Sequence, residues 1–279
     1  GTWASAAPAA APEADGGRGA APAAPAPTTS AAPAPSAAPQ AIAWPSGPLT
    51  PDPTDARGDL PVIYSDGCHL SIAATDPPEC AYGDTRSSTT VVLLGDSHAA
   101  QWFPALRRVA EKNDWRLVVR TKSGCPAPDV TILQRRLSRP YDECDTWRAA
   151  VLDELVRTRP ALVVAAGTRT DSLVDRGSGD PVASSAAGEE WKVGWRRTLA
   201  PLEKAGIAVA VLRDTPWPGK DMAGCVDRNR DRPSACDVSR KALDSPAYDV
   251  RTTTGSPTAR GVDLSDVICD PDRCPATRG

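Results

Sequence analysis

The strongest constraint in the chain is a set of four short apolar runs: VVLLG at 91–95, RLVVR at 116–120, ALVVAA at 161–166 and IAVAVL at 207–212. Each is continuous rather than alternating, rich in Val, Leu and Ile, and bounded within a strand's length, which predicts buried strands covered on both faces. Helical patterns lie between them. Trp102, Leu106, Val109 and Ala110 recur at helical spacing after the first run, with Pro104 acceptable only in a first turn. CDTWRAAVLDELVRTRP places Trp147, Val151, Leu155 and Val156 on one side and stops at Pro160. EEWKVGWRRTLAPLEKAG reads as a helix interrupted at Pro201 and ended by Gly206. Such alternation implies a parallel sheet between two helical layers, so the expected fold class is α/β, a three-layer α/β/α sandwich. Ligands bind outside the carboxyl ends of strands in these sheets. The loops Gly95 to His98, Lys122 to Pro126, Gly167 to Asp171 and Arg213 to Trp217 should therefore converge on one crevice.

The chain has 279 residues, but residues 1–58 are mostly Ala, Pro, Ser, Gly and Thr, too poor in large apolar groups to offset the entropy of ordering. They read as a disordered linker, leaving residues 59–279 as one domain. A formal charge of −3 and mixed-sign stretches such as RDTPWPGKDMAGCVDRNRDR disfavour nucleic-acid binding. No run of 18 apolar residues exists to span a membrane. The chain opens without Met or a signal-peptide pattern and reads as a piece of something longer.

Eight cysteines, Cys68, Cys80, Cys125, Cys144, Cys225, Cys236, Cys269 and Cys274, are an even set without zinc-site spacing, so neither a metal nor a cofactor is expected. Their spacing suggests four disulfides between neighbours in chain order, and hence an oxidising, extracytoplasmic compartment.

Chemistry points to VVLLGDSHAAQW, where Gly95-Asp96-Ser97-His98 joins a buried strand to a helix start. Ser97 there is placed to attack an ester carbonyl, with the helix start favouring negative charge; its plainer role is that of a helix N-cap. Gly95-Asp96-Ser97 resembles the first block of the SGNH/GDSL esterase and acyltransferase superfamily. LLGDSHAAQWFPAL, KSGCP, RDTPWP, VDLSDVICDPDRCP and the paired cysteines are similar to the extracytoplasmic SGNH domains fused behind membrane acyltransferases of family 3. The resemblance covers about residues 60–279. It implies a flavodoxin-like sheet, a serine O-acyltransferase or esterase, an acyl donor and a cell-envelope glycan acceptor, and a membrane acyltransferase domain upstream. It also implies that Gly124 lends its N–H to the oxyanion, although an ordinary turn glycine fits equally. Where the family pattern has G-x-N-D, this chain has Gly167-Thr168-Arg169-Thr170. Arg169 thus falls at the Asn position, as an oxyanion donor of different reach or as a surface residue. Asp96 and His98 are expected to position substrate.

The family's base is a His in a D-x-x-H motif near the domain's end, and no histidine follows His98. The resemblance therefore implies that the motif, with a last parallel strand beside Ile207–Leu212, lies beyond Gly279. On that expectation the 207–212 strand is an open edge and the fragment is inactive. Two internal candidates remain: His69, in Asp66-Gly67-Cys68-His69, and His98, whose side chain diverges from that of its neighbour Ser97. A non-catalytic glycan-binding module with the same fold, or a simple carbohydrate esterase, stands as the alternative.

Overall fold

The computed structural model describes residues 47–169, 172–243 and 247–278. Most of the linker read at 1–58, residues 1–46, lies outside them, as do Thr170, Asp171 and Gly279. Residues 47–58 form turns, and two ion pairs join them to the segment after the fourth predicted strand: Asp52 to Arg230 at 2.7 Å and Arg57 to Asp221 at 2.5 Å.

The main sheet comprises β1 (His69–Leu70), β2 (Ala81–Gly83), β3 (Thr90–Gly95), β4 (Arg116–Lys122), β5 (Leu162–Ala166), β6 (Val209–Leu212) and β7 (Ala259–Val262). Its order is β1-β4-β3-β5-β6-β7, with β2 the one antiparallel member, paired to β4 beyond β1. The five principal strands run β4-β3-β5-β6-β7, all parallel, which is the flavodoxin-like order. The α/β fold is therefore the one the sequence implies.

Both faces are covered, and the strands show why. Side chains alternate across a pleated strand. Val91 and Leu93 thus pack with Phe103 and Ala110 on one side, while Val92 and Leu94 join Trp147, Val151, Trp195 and Leu199 on the other. Four helices supply those layers: α1 (Ser97–Ala100), α2 (Phe103–Lys112), α3 (Asp142–Thr158) and α4 (Ser184–Lys204). Pro104 falls in the first turn of α2 as expected, but Phe103 is buried where Val109 is exposed. The expected break at Pro201 does not occur. α4 runs through it to Lys204, because a proline one turn from the end disturbs a ladder that is about to stop. Gly206, at φ +72°, then turns the chain away.

The expectation of a missing last strand is overturned. Ala259–Val262 pairs in parallel with Val209–Leu212, so the edge read as open at 207–212 is covered within the chain. Sequence could not signal it: Ala-Arg-Gly-Val has no branched apolar run, and only Ala259 is buried. Gly261 is required there because a Cβ would lie 2.6 Å from the Cβ of Val250, in the short helix Tyr248–Arg251.

All four disulfides form in the expected pairs: Cys68–Cys80, Cys125–Cys144, Cys225–Cys236 and Cys269–Cys274. The second closes the loop after β4 onto α3. There the buried Arg148 guanidinium bonds Asp129 at 2.8 Å, Asp145 at 3.1 Å and the Val130 carbonyl at 3.0 Å. A buried cation is tolerated only when its donors are met in this way.

Candidate active site

The turn that carries Ser97 is built on a glycine that nothing else can replace. Gly95 ends β3 at φ +144°, and a Cβ there would lie 1.9 Å from the Ala166 carbonyl oxygen of β5. Next, Asp96 is fully buried and caps α1: one carboxylate oxygen accepts the His98 N–H and the other the Thr168 N–H, each at 2.8 Å. Burial raises its pKa, against the lowering influence of His98 and of those two N–H groups. Asp96 therefore ties the loop after β3 to the loop after β5. Ser97 opens α1 and is half-buried. The helix is a single turn, so stabilisation of an anion at Ser97 depends on nearby N–H groups more than on a long macrodipole.

Chain order switches between β3 and β5, and Ser97 follows the first while Gly167, Thr168 and Arg169 follow the second. This is the crevice where open α/β sheets bind ligands. Gly167 draws two loops together, because a Cβ on it would lie 2.6 Å from the Pro126 Cβ. Gly124 occupies the third position of a turn closed by Cys125 N–H to the Lys122 carbonyl at 3.1 Å. Its φ of +62° is what that turn demands of a glycine. Lys122 is itself buried and anchors the turn, its Nζ donating to the carbonyls of Ser71, Ile72 and Ala74. Burial holds its pKa down at about 8.

The two histidines diverge. His98 Nδ1 lies 2.5 Å from Asp214 Oδ1, in the loop after β6, and each side chain is 22% exposed. Burial opposes a charged His98 ring, yet the hydrogen bond to Asp214 and the charges of Asp214 and Asp96 outweigh it and raise the pKa. Asp249 supports the pair, accepting the Asp214 N–H at 2.8 Å. His69, by contrast, is buried, with Nδ1 3.0 Å from Thr121 Oγ1 and Nε2 3.1 Å from Ser123 Oγ. Burial and the Lys122 charge hold its pKa at about 4. The internal D-x-x-H is thus committed elsewhere, since Asp66 accepts the Tyr82 hydroxyl at 2.7 Å.

A cleft of about 420 Å³ opens here, lined by His98, Arg169, Asp214, Trp217, Tyr248 and Asp249 among others. The Arg169 guanidinium lies 5.6 Å from the Tyr248 ring centroid. Of the expected site residues, His98 and Arg169 line this cleft, whereas Ser97 and Gly124 sit at the ends of the adjacent strands β3 and β4 and Asp96 lies beneath. Tyr248 and Asp249 had no motif to announce them, and Asp214 was marked only as part of RDTPWP and the Arg213 to Trp217 loop, without a role. Its role could have been found only from its place after a predicted strand.

A crevice at the switch point of a flavodoxin-like sheet, with a serine at the strand-to-helix turn, defines an SGNH-type domain. The sequence model of the family described as "SGNH domain (fused to AT3 domains)" matches residues 67–279, and the chain belongs to that family. By that description, domains of this family are fused to AT3 domains. Among solved structures it is similar to the periplasmic domain of the Salmonella ser. Paratyphi A lipopolysaccharide acetyltransferase, at 14% identity and TM-score 0.46, covering 76% of this chain and 74% of that one. It is also similar to a Bacteroides fragilis NCTC 9343 protein provisionally described as an acylhydrolase, at 13% identity and TM-score 0.35, covering 68% and 73%. No curated protein sequence gives a significant match.

Proposed function

We propose that this is the extracytoplasmic domain of a membrane-anchored O-acyltransferase that moves acetyl or another short acyl group onto a cell-envelope glycan through Ser97. The observation carrying this reading is Ser97 itself, half-buried at the start of α1 in the switch-point crevice, on a turn fixed by Gly95 and Asp96. In the first half-reaction, Ser97 Oγ bonds to the acyl carbon, the donor's leaving group departs, and the serine proton passes to it through a base. In the second, an acceptor hydroxyl attacks the same carbon, the Oγ–acyl bond breaks, and the acceptor's proton returns to Ser97 Oγ. The Gly124 N–H and the Arg169 guanidinium serve the oxyanion, and His98 orients substrate. The four disulfides support an oxidising compartment, and no described helix is long and apolar enough to cross a membrane.

A non-catalytic glycan-binding module is the second reading. It is favoured by one observation: both histidine rings are engaged by residues other than Ser97, His98 by Asp214 and His69 by Thr121 and Ser123. Treating the complete domain with a fluorophosphonate and locating the adduct by peptide mass spectrometry separates the two. An adduct on Ser97 that disappears in Ser97→Ala supports the enzyme. Labelling that persists in the variant, or none at all, overturns it.

A further inference from the structure

Trp217 is 71% exposed, an unusual state for so large an apolar side chain. Single exposed apolar residues on convex surfaces need no explanation. Trp217, however, lines the concave cleft that holds His98 and Asp214. The other exposed large hydrophobics, Leu60, Val62, Val109 and Leu137, line no part of it.

Its setting is stiff. Pro216 and Pro218 flank it, fixing φ on either side and removing two N–H donors from the loop. The indole thus lines the cleft at small entropic cost, an advantage aromatic side chains bring to binding surfaces. Around it stand groups suited to hydroxyls. Asp214 and Asp249 supply carboxylate acceptors, Thr215 a hydroxyl within 3.3 Å of Gln101 Nε2, and Arg169 a guanidinium beside Tyr248. An acyl chain would want an enclosed apolar slot. A flat, exposed ring edged by both carboxylates and a cation matches instead a saturated ring with one apolar face and a rim of hydroxyls.

We propose that Trp217 is the stacking platform of an acceptor subsite for an uncharged pyranose unit, with Asp214 and Arg169 bonding its hydroxyls. This rests on the acyl-transfer reading for its position in the reaction, but the subsite is testable alone.

The probes are chitotetraose, maltotetraose and mannotetraose, titrated into the chain labelled with 5-fluorotryptophan and followed by fluorine NMR. At least one should shift the Trp217 resonance, assigned by its loss in Trp217→Ala. That variant should weaken binding at least tenfold, while Trp217→Tyr stays within about threefold of the native chain. Because the side chain is exposed, neither change threatens folding. No shift with any of the three sugars, or equal affinity in Trp217→Ala, overturns the subsite. Sugar binding without Ser97 labelling would sink the acyl-transfer reading and leave the subsite standing; labelling without sugar binding would do the reverse.

Discussion

His98 and Asp214 meet at 2.5 Å, Nδ1 to Oδ1, across 116 residues of chain. One follows β3 and the other follows β6, so the contact joins the two loops at the cleft. The carboxylate fixes the ring's orientation and favours its charged form. Asp214→Asn should therefore lower the His98 pKa. The measurement is the His98 ring Cε1 proton shift followed by NMR across pH 4 to 9. An unchanged midpoint would show that Asp96, not Asp214, sets the charge on the ring.

The two histidines should give stability opposite slopes on either side of their common unfolded pKa of 6.5. His69, held at about 4 in the folded chain, binds fewer protons there than when unfolded, so stability falls as pH drops from 6.5 towards 4. A shift of that size corresponds to a loss on the order of 3 kcal/mol. His98 has the raised value, so its contribution is complete below 6.5 and is lost as pH rises through its folded pKa. Denaturant unfolding at a series of pH values should show His69→Gln flattening the acid limb and Asp214→Asn flattening the alkaline one. Identical pH profiles for the variants and the native chain would refute both assignments.

Legibility in the sequence tracked side-chain chemistry. The four runs of Val, Leu and Ile announced β3, β4, β5 and β6 because a strand buried on both faces must be apolar throughout. The cysteines announced their pairs by local spacing. β7 was silent, since an edge strand with one buried residue, Ala259, carries no such pattern. The Gly95-Asp96-Ser97 turn was legible as a motif, and Gly95 proves to be there for the Ala166 carbonyl. Tyr248 and Asp249 were not, and Asp214 was legible only as part of the loop after β6. Their roles arise from a crossover that brings residues 98, 214 and 249 together, and local sequence holds no record of such distances.

The Cys125–Cys144 bridge holds the loop after β4 against α3, beside the buried Arg148 network. Replacing both cysteines by serine should cost about 3 kcal/mol through loop-closure entropy, with the loop after β4 loosening first. Hydrogen exchange would register this as faster exchange at residues 126–134 than in the rest of the sheet. Uniform protection at native levels would show that Arg148 alone holds the loop.

Two glycines beside Ser97 should fail in different ways when changed to alanine. At Gly95, the new Cβ would meet the Ala166 carbonyl oxygen at 1.9 Å in β5 and the Ala99 Cβ at 2.9 Å in α1, both buried. Backbone cannot yield there without separating β3 from β5, so Gly95→Ala should cost about 3 kcal/mol or more. At Gly124, the nearest atom to a new Cβ is Gln134 Nε2 at 3.6 Å, an ordinary contact. Only the φ of +62° opposes the change, a strain of about 1–2 kcal/mol. Gly124→Ala should therefore fold. Relief of that strain would rotate the Gly124 N–H, and if that group serves the oxyanion, Ser97 phosphonylation should slow by at least ~10-fold. The check is a paired measurement of thermal midpoint and labelling rate for each variant. A Gly124→Ala protein slightly destabilised but labelled at the native rate would make Gly124 a turn residue and nothing more.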